Sequence, residues 1–191
     1  LSACASFQAA GDIAQGRQAL IEGNNQAALG YFQAAEQVDP PYVYGTDLRQ
    51  GVLSYLGRAQ YLTGNYAAAR STLEKALSQN PSDNVARLYL GLTLARQGES
   101  QKALPDIDSG MKGIYDLLNY IADTFRFGYG DYWDPGRDIR SAIEKSRAVM
   151  ASGKIDWPTL IADGESIALK TEREPDLARQ NQGTQQSLTA D

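Results

Sequence analysis

The sequence predicts an all-α protein built as a solenoid of helical hairpins. The prediction rests on an internal repeat, because residues 50–83 align without a gap on residues 84–117 at an offset of 34 residues. Residues of the same kind coincide in the two segments: Leu56-Gly57 with Leu90-Gly91, Gly64 with Gly98, Ala69 with Ala103, Leu73 with Ile107, and Ala76 with Gly110. A period of this length is typical of helix–turn–helix units, which bury their apolar faces only by stacking on neighbours.

Each position of the repeat has a physical role. Gly57 and Ala69 are small where two antiparallel helices must approach closely. Gly64 can adopt the left-handed conformation that ends the first helix, and Asn65 can cap the second. Pro81 stops the second helix because proline cannot continue the hydrogen-bond ladder. The pattern therefore predicts where the helices of one hairpin begin and end.

These residues resemble the tetratricopeptide repeat family. The likeness is closest in residues 50–83, which carry Leu56-Gly57, Gly64-Asn65-Tyr66, Ala69, Leu73, Ala76-Leu77 and Asn80-Pro81. The resemblance implies about three repeats, at residues 9–42, 50–83 and 84–117, in a solenoid that spans residues 9–124. The first repeat is degenerate, since Asp12 and Gln15 stand where bulky apolar residues are expected. A polar first helix suits a terminal repeat.

The N-terminal residues Leu1-Ser2-Ala3-Cys4 resemble the lipobox of bacterial lipoproteins. That resemblance implies a diacylglycerol on Cys4, with residues 1–8 forming the lipobox and an N-terminal tether. Ala5 follows the cysteine in place of the aspartate associated with inner-membrane retention, which implies anchoring at the periplasmic face of the bacterial outer membrane. The alternative is a structural cysteine near the N-terminus.

The repeat spacing breaks between the first and second repeats. Pro40 and Pro81 are 41 residues apart rather than 34, and the seven extra residues lie within 41–49. The insertion falls in a turn between repeats, where extra residues disturb packing least. One interpretation is that it lengthens the next helix, with Thr46 or Asp47 as the cap. The other is that Tyr42 and Tyr44 form a contact site.

After the third repeat the apolar positions continue at helical spacing through Ile114, Leu118, Ile121 and Phe125. They predict one long helix that ends the regular repeats. Residues 125–136 then contain five aromatic residues interrupted by glycines, which predicts a loop. Two interpretations of this aromatic segment are open. Its rings cap the end of the solenoid, or they form a partner-binding loop with the following residues: Phe127, Tyr129, Tyr132 and Trp133.

A helical extension is predicted for residues 137–175. Asp134-Pro135 has the pattern of a cap and first helical turn, for a helix that runs to about Ser152 and ends at Gly153. A second helix is predicted to begin near Asp156. Residues 176–191 are polar and charged, with little apolar surface to bury, so we expect them to lack stable structure.

The family resemblance also implies a binding surface. The first helix of each repeat lines the concave side of such a solenoid, and tyrosine and arginine are residue types that supply contact area and hydrogen bonds at interfaces. The alternative is that the tyrosines belong partly to the core and the arginines are merely solvated. The corresponding positions in this chain are Ile13, Arg17, Tyr55, Arg58, Tyr61, Tyr89, Leu92 and Arg96.

Composition excludes several classes of site. The net charge of −5 argues against nucleic acid as the main partner. The chain has no histidine and one cysteine, which rules out histidine-based catalysis, Cys/His zinc sites and an internal disulfide. The pairs Asp106/Asp108 and Asp131/Asp134 are candidates for a carboxylate-based metal or catalytic site, but acidic residues in such positions are more often helix caps and solvated charges.

We therefore expect a non-catalytic scaffold without a catalytic residue, a metal or a small-molecule substrate. Its only covalent group is the lipid on Cys4. In this hypothesis the protein is an adaptor that tethers or helps assemble a bacterial envelope complex such as a pilus, a secretion pore or an outer-membrane machine, and holds a peptide or helix of its partner in the groove. The alternative is a stable accessory subunit of a membrane-bound enzyme complex whose C-terminal extension wraps a partner.

Overall fold

The structure is a computed structural model that describes residues 2–188 of the chain, with side chains for residues 4–185. Within this range the chain is almost entirely helical, which confirms the predicted all-α class. It divides into two compact units, one ending at Gly110 and one beginning at Met111. The eight described helices are α1 (Ser2–Ile21), α2 (Asn25–Val38), α3 (Val52–Leu62), α4 (Tyr66–Gln79), α5 (Asn84–Arg96), α6 (Ser100–Thr124), α7 (Asp138–Ser152) and α8 (Trp157–Leu188).

The first unit consists of stacked helical hairpins. Helix α1 packs on α2 and α3 packs on α4, while α2 also contacts α3 and α4 contacts α5. The turns follow the predicted chemistry, since Gly64 has a φ of +83° after α3. The side chain of Asn65 then accepts a hydrogen bond from the backbone N–H of Ala68 at 3.3 Å and so caps α4. The predicted stop of α3 and start of α4 are confirmed.

A glycine allows the closest approach within each hairpin. A Cβ atom built on Gly57 in α3 would lie 2.6 Å from Cγ of Leu73 in α4. The equivalent atom on Gly91 in α5 would lie 2.7 Å from Cγ1 of Ile107 in α6. Real Cβ atoms do not come this close to another carbon, so the packing depends on the missing side chain. The equivalence of the two sites is the structural basis of the 34-residue repeat.

The insertion between the first and second repeats forms a small β-hairpin. Strand β1 (Val43–Tyr44) pairs antiparallel with strand β2 (Gln50–Gly51). Helix α3 begins at Val52, directly after β2, with Gly51 in an extended conformation and no side-chain cap. The expectation that the insertion lengthens the next helix, with Thr46 or Asp47 as its cap, is therefore wrong. The backbone N–H and C=O groups of the insertion are paired between the two strands instead of within a longer helix.

The second unit contains the end of α6, the aromatic segment, and helices α7 and α8. Helix α6 runs as predicted through Gly110 and Gly113 as far as Thr124. The aromatic segment is less irregular than expected, because Tyr129–Tyr132 forms a short 3-10 helix that contacts α8. Helix α7 begins at Asp138, three residues later than the predicted first turn at Pro135, and ends at Gly153 as expected.

Both ends of the described chain are more helical than the sequence suggests. Helix α1 begins at Ser2, so the predicted tether of residues 1–8 is helical from that residue, and Leu1 lies outside the described residues. Helix α8 continues to Leu188, whereas residues 176–191 were expected to lack structure; residues 189–191 lie outside the described part. Thr171, Glu174 and Ala178 are buried along one side of α8, which gives its C-terminal half a packed face that composition alone did not reveal.

Candidate partner-binding surface

The tyrosines and arginines of α3 and α5 form a cross-helix row. Residues 55, 58 and 61 lie one turn apart on α3, and so present one face of that helix. The guanidinium carbon of Arg58 lies 5.3 Å from the ring centroid of Tyr89 on α5, in cation–π geometry. The rings of Tyr61 and Tyr89 meet edge-on with centroids 5.3 Å apart. The structure therefore brings together residues of α3 and α5 that lie 31 and 28 positions apart in the sequence.

Arg96 extends this row at the C-terminal end of α5. Its Nε donates a hydrogen bond to the hydroxyl oxygen of Tyr61 at 3.2 Å. The arginine also sits in the last turn of α5, where a positive charge is favoured by the helix dipole. Because its side chain is exposed, Arg96 is the member of the row that solvent and other molecules can reach.

The inserted hairpin connects α1 to the row. The guanidinium of Arg17 lies over the ring of Tyr44 at 5.1 Å from its centroid, and its Nη1 lies 3.4 Å from the tyrosine hydroxyl. Tyr44 in turn meets the ring of Tyr55 edge-on at 6.4 Å. Phe32 of α2 also stacks on Tyr55, with ring centroids 5.1 Å apart. Tyr44 thus serves a structural role that the sequence left open.

Burial separates the predicted groove residues into two groups. Seven of the eight have buried side chains: Ile13, Arg17, Tyr55, Arg58, Tyr61, Tyr89 and Leu92. Only Arg96 is exposed. A buried side chain cannot touch a partner directly in this conformation, so these residues act first as packing and positioning groups. Their predicted role as a binding groove remains a prediction.

The aromatic segment also splits into buried and exposed rings. Trp133 is only 2% exposed, whereas Phe127 is 92% exposed. Tyr129 contacts a ring on each side of it in the segment. Its ring centroid lies 6.4 Å from that of Phe125 and 5.8 Å from that of Trp133, both in edge-on geometry. Tyr132 is half-buried. Phe127 has a φ of +65°, a conformation that costs about 1–2 kcal/mol for a residue with a side chain. The segment therefore combines a core residue with a strained, solvent-facing phenylalanine.

Asp134 is the centre of a buried polar network that holds the aromatic segment in place. Its carboxylate accepts hydrogen bonds from the backbone N–H groups of Ile139 at 2.9 Å and Arg140 at 3.1 Å. The same carboxylate pairs with Nε of Arg140 at 3.0 Å. Asp134 therefore caps α7 from outside the helix, which explains why an Asp-Pro pair precedes it.

Two further residues complete the network. The backbone N–H of Asp134 donates a short hydrogen bond to Oε1 of Glu174 on α8. Nη1 of Arg140 donates to Oδ1 of Asn119 on α6 at 3.2 Å. Burial, and next the nearby charge of Asp134, raise the pKa of the Glu174 carboxyl. No sequence pattern points to Glu174, because it lies 40 residues from Asp134 and belongs to no local motif.

One member of each candidate acidic pair has a structural contact. Asp106 faces Nη1 of Arg87 at 3.4 Å, and burial raises the pKa of its carboxyl. Asp134 caps α7 as described. Among the described side chains, no group of three or more histidine, cysteine, aspartate or glutamate residues is placed to hold a metal ion.

The N-terminal cysteine is accessible. Cys4 is exposed and lies in the first turns of α1. Between residues 2 and 188, no helix combines the length and the apolar character needed to cross a bilayer.

Residues 55–112 match the model of the tetratricopeptide repeat family. The chain contains tetratricopeptide repeats. The match runs from α3 into α6 and so covers most of the second and third repeats, where the sequence likeness is closest. No curated protein and no solved structure matches the chain significantly. Tetratricopeptide repeats generally bind other proteins and are typically non-catalytic, so the repeats assign this chain a role in protein–protein interaction.

Proposed function

We propose that this protein is a non-catalytic adaptor that tethers or helps assemble a protein complex at a bacterial outer membrane. The tetratricopeptide repeats carry the proposal, since such repeats are protein-binding units. The partner is a peptide or helix that binds at the exposed end of the α3–α5 row, where Arg96 lies. Arg96 is the first contact for the partner, because its side chain is exposed and its Nε is hydrogen-bonded to the Tyr61 hydroxyl. The buried tyrosines beneath it keep that charge in a fixed position.

Photo-cross-linking tests this face. A photoreactive amino acid replaces Arg96 in one variant, and in a matched variant it replaces Lys75, an exposed cation on α4 outside the row. After irradiation in intact cells, adducts are identified by mass spectrometry. We expect one defined partner to be captured from position 96 and not from position 75. Equal capture from both positions, or none from position 96, would remove the α3–α5 face as the binding surface.

The membrane tether in this proposal is a lipid on Cys4. An exposed cysteine near the start of the chain is compatible with acylation, and each buried methylene of an acyl chain contributes about 0.8 kcal/mol to membrane binding. The full gene product is expressed in a Gram-negative host, followed by membrane fractionation and intact mass measurement, with Cys4→Ser as the control. A lipidated membrane-bound wild type and a released Cys4→Ser variant are expected. Identical localisation of the two would exclude the lipid anchor.

A second arrangement is favoured by Phe127. A strained phenylalanine with 92% of its surface exposed is an unusual feature for a surface that contacts only water. In this arrangement the protein is an accessory subunit of a membrane-bound enzyme complex, and residues around Phe127 contact the partner. Limited proteolysis separates the two arrangements, because residues 125–180 become protected in the complex only if that part of the chain is covered.

A further inference from the structure

The inserted hairpin leaves one strand edge unpaired. Val43 pairs with Gly51 in the antiparallel register, and the backbone N–H of Val52 donates to the carbonyl of Tyr42 at 3.1 Å. Antiparallel residues alternate between hydrogen-bonded and non-hydrogen-bonded pairs, so Val43 and Gly51 are the non-hydrogen-bonded pair. The N–H and C=O of Val43 therefore point away from β2. Within the described residues, neither group has a hydrogen-bond partner on that side, and the Val43 side chain is 38% exposed.

A cavity of about 390 Å³ opens beside this edge, within the first unit. Val43 is one of its lining residues. The insertion forms one wall, and the end of α4 with the start of α3 forms the other. The lining is mainly apolar and includes Pro41, Tyr42, Val43, Leu53 and Ala76, while Ser54, Gln79, Asn80 and Asp83 add polar groups. The volume lies at the lower end of the range for ligand pockets, about 300–1,000 Å³, which suits a side chain better than a large ligand.

The acidic residue at the cavity indicates which side chains fit. Asp83 lines the cavity and is 4% exposed, and its carboxylate accepts a hydrogen bond from the backbone N–H of Ala86 at 2.9 Å. The backbone N–H groups of Gly51 and Val85 also face this carboxylate. These hydrogen bonds hold the carboxylate in place within the fold. Its negative charge disfavours an acidic side chain in the cavity. The geometry suits a neutral, apolar side chain.

We propose that β1 is a second binding site, which takes an extended peptide segment of a partner protein by strand addition. The peptide backbone pairs with the N–H and C=O of Val43, and one apolar side chain of the peptide enters the cavity. Main-chain hydrogen bonds supply affinity in this mode, and a side-chain pocket supplies specificity. The site lies on the insertion rather than on the α3–α5 face, so it is independent of the contact proposed at Arg96.

The test uses the full chain and fluorescent nine-residue peptides in which threonine and valine flank a central leucine, alanine or aspartate. Binding is measured by fluorescence anisotropy. The leucine peptide should bind about tenfold more tightly than the alanine peptide, since filling an apolar pocket is worth that much. The aspartate peptide should bind most weakly. A leucine peptide with a methylated central backbone nitrogen, which cannot donate to Val43, should also lose about tenfold in affinity.

Val43→Pro is the protein variant that corresponds to the methylated peptide, because each removes one backbone N–H from the proposed pairing. Proline removes the outward N–H and leaves the bonds to β2 intact, since proline is tolerated on edge strands when its nitrogen faces solvent. We expect Val43→Pro to weaken binding of the leucine peptide about tenfold. The methylated peptide on the wild-type protein gives the same information if Val43→Pro disturbs folding.

Three results would overturn the proposal. The first is equal binding of the leucine and alanine peptides, and the second is equal binding of the methylated and unmethylated peptides. The third is a dimer of the wild-type protein in size-exclusion chromatography that Val43→Pro abolishes, because the edge would then pair with a second copy of the chain. Photo-cross-linking from position 96 does not involve Val43. Either proposed binding site can therefore be disproved while the other stands.

Discussion

Gly57 and Leu73 face each other across the second hairpin at a distance that admits no side chain on the glycine. A Cβ atom at position 57 would lie 2.6 Å from Cγ of Leu73 and 3.4 Å from its backbone nitrogen. Leu73 itself is completely buried, so it has little room to move aside. The same relationship recurs between Gly91 and Ile107 one repeat later. The hairpin geometry of the repeats thus depends on a glycine within a helix, where glycine is otherwise unfavourable.

Gly57→Ala should lower the free energy of unfolding. Overpacking typically costs about 1–3 kcal/mol and the higher helix propensity of alanine returns about 0.5–1, so a net loss of about 1–2 kcal/mol is expected. Gly30→Ala is the control, because Gly30 lies inside α2 with no atom within 4 Å of an added Cβ. It should gain about 0.5–1 kcal/mol. Urea denaturation measures both, and a stabilised Gly57→Ala variant would contradict the packing described.

Asp83 predicts a dependence of stability on pH. Burial raises the pKa of its carboxyl in the folded protein. The native state therefore binds a proton at pH values where the unfolded chain has released it, and the free energy of unfolding falls as pH rises above about 4. Asp83→Asn removes this pH-dependent contribution to the free energy of unfolding, and its amide oxygen can still accept the hydrogen bond from the Ala86 N–H. The loss of a hydrogen bond to the second carboxylate oxygen costs about 0.5–1.5 kcal/mol at every pH.

The stability of Asp83→Asn relative to wild type should therefore rise between pH 4 and pH 7. The measurement is urea denaturation at several pH values, with Asp131→Asn as a control for the loss of one exposed negative charge. A difference between Asp83→Asn and wild type that stays constant over this range, or falls, would show that Asp83 is not held in a desolvated site.

The aromatic segment predicts opposite effects for two rings. Trp133→Ala should lower the free energy of unfolding by about 3–5 kcal/mol, because it empties a fully buried site. Phe127→Gly removes an exposed ring and relieves a left-handed conformation, so it should leave stability unchanged or raise it by about 1 kcal/mol. Thermal and urea denaturation test both variants. A Phe127→Gly variant as unstable as Trp133→Ala would mean that the exposed ring is part of the core.

The sequence predicted those features of the fold that local chemistry determines. Gly64 and Asn65 define a turn through their own backbone and side-chain preferences, so their roles follow from two adjacent residues. Gly57 was identifiable because its repeat partner Gly91 sits in the same context. The insertion was located by a break in spacing. Its hairpin was not predicted, since strands of two residues carry no measurable periodicity.

The candidate site was predictable in position but not in exposure. The family resemblance placed Tyr55, Arg58 and Tyr61 on one helix and Tyr89 on the equivalent helix of the next repeat, and in the structure Arg58 and Tyr61 contact Tyr89. Whether such side chains are open or buried depends on contacts that spacing does not encode. The sequence likewise identified Asp134 as a helix cap, but its partner Glu174 lies 40 residues away. Contacts of that range follow from tertiary packing.

The network around Asp134 makes the last prediction. Asp134→Ala should lower the free energy of unfolding by about 3–5 kcal/mol, because it leaves Arg140 buried without its carboxylate partner. Asp134→Asn should cost less, since the amide oxygen still accepts a hydrogen bond from Ile139 and asparagine tolerates the positive φ of +44°. Arg140→Met removes the cation and leaves Asp134 with its two backbone donors.

Combining Asp134→Asn with Arg140→Met tests whether these side chains act as a pair. Each single variant leaves a buried group without its partner, whereas the double variant removes both members of the ion pair, so its loss should be smaller than the sum of the two single losses. We expect a coupling of about 0.5–3 kcal/mol from urea denaturation of the four proteins. Arg137→Met, which removes the exposed neighbouring arginine that pairs with Glu144, is the control and should show no coupling to Asp134→Asn. Additive losses for Asp134 and Arg140 would mean that the aromatic segment is held by the backbone bonds from Ile139 and to Glu174 rather than by the ion pair.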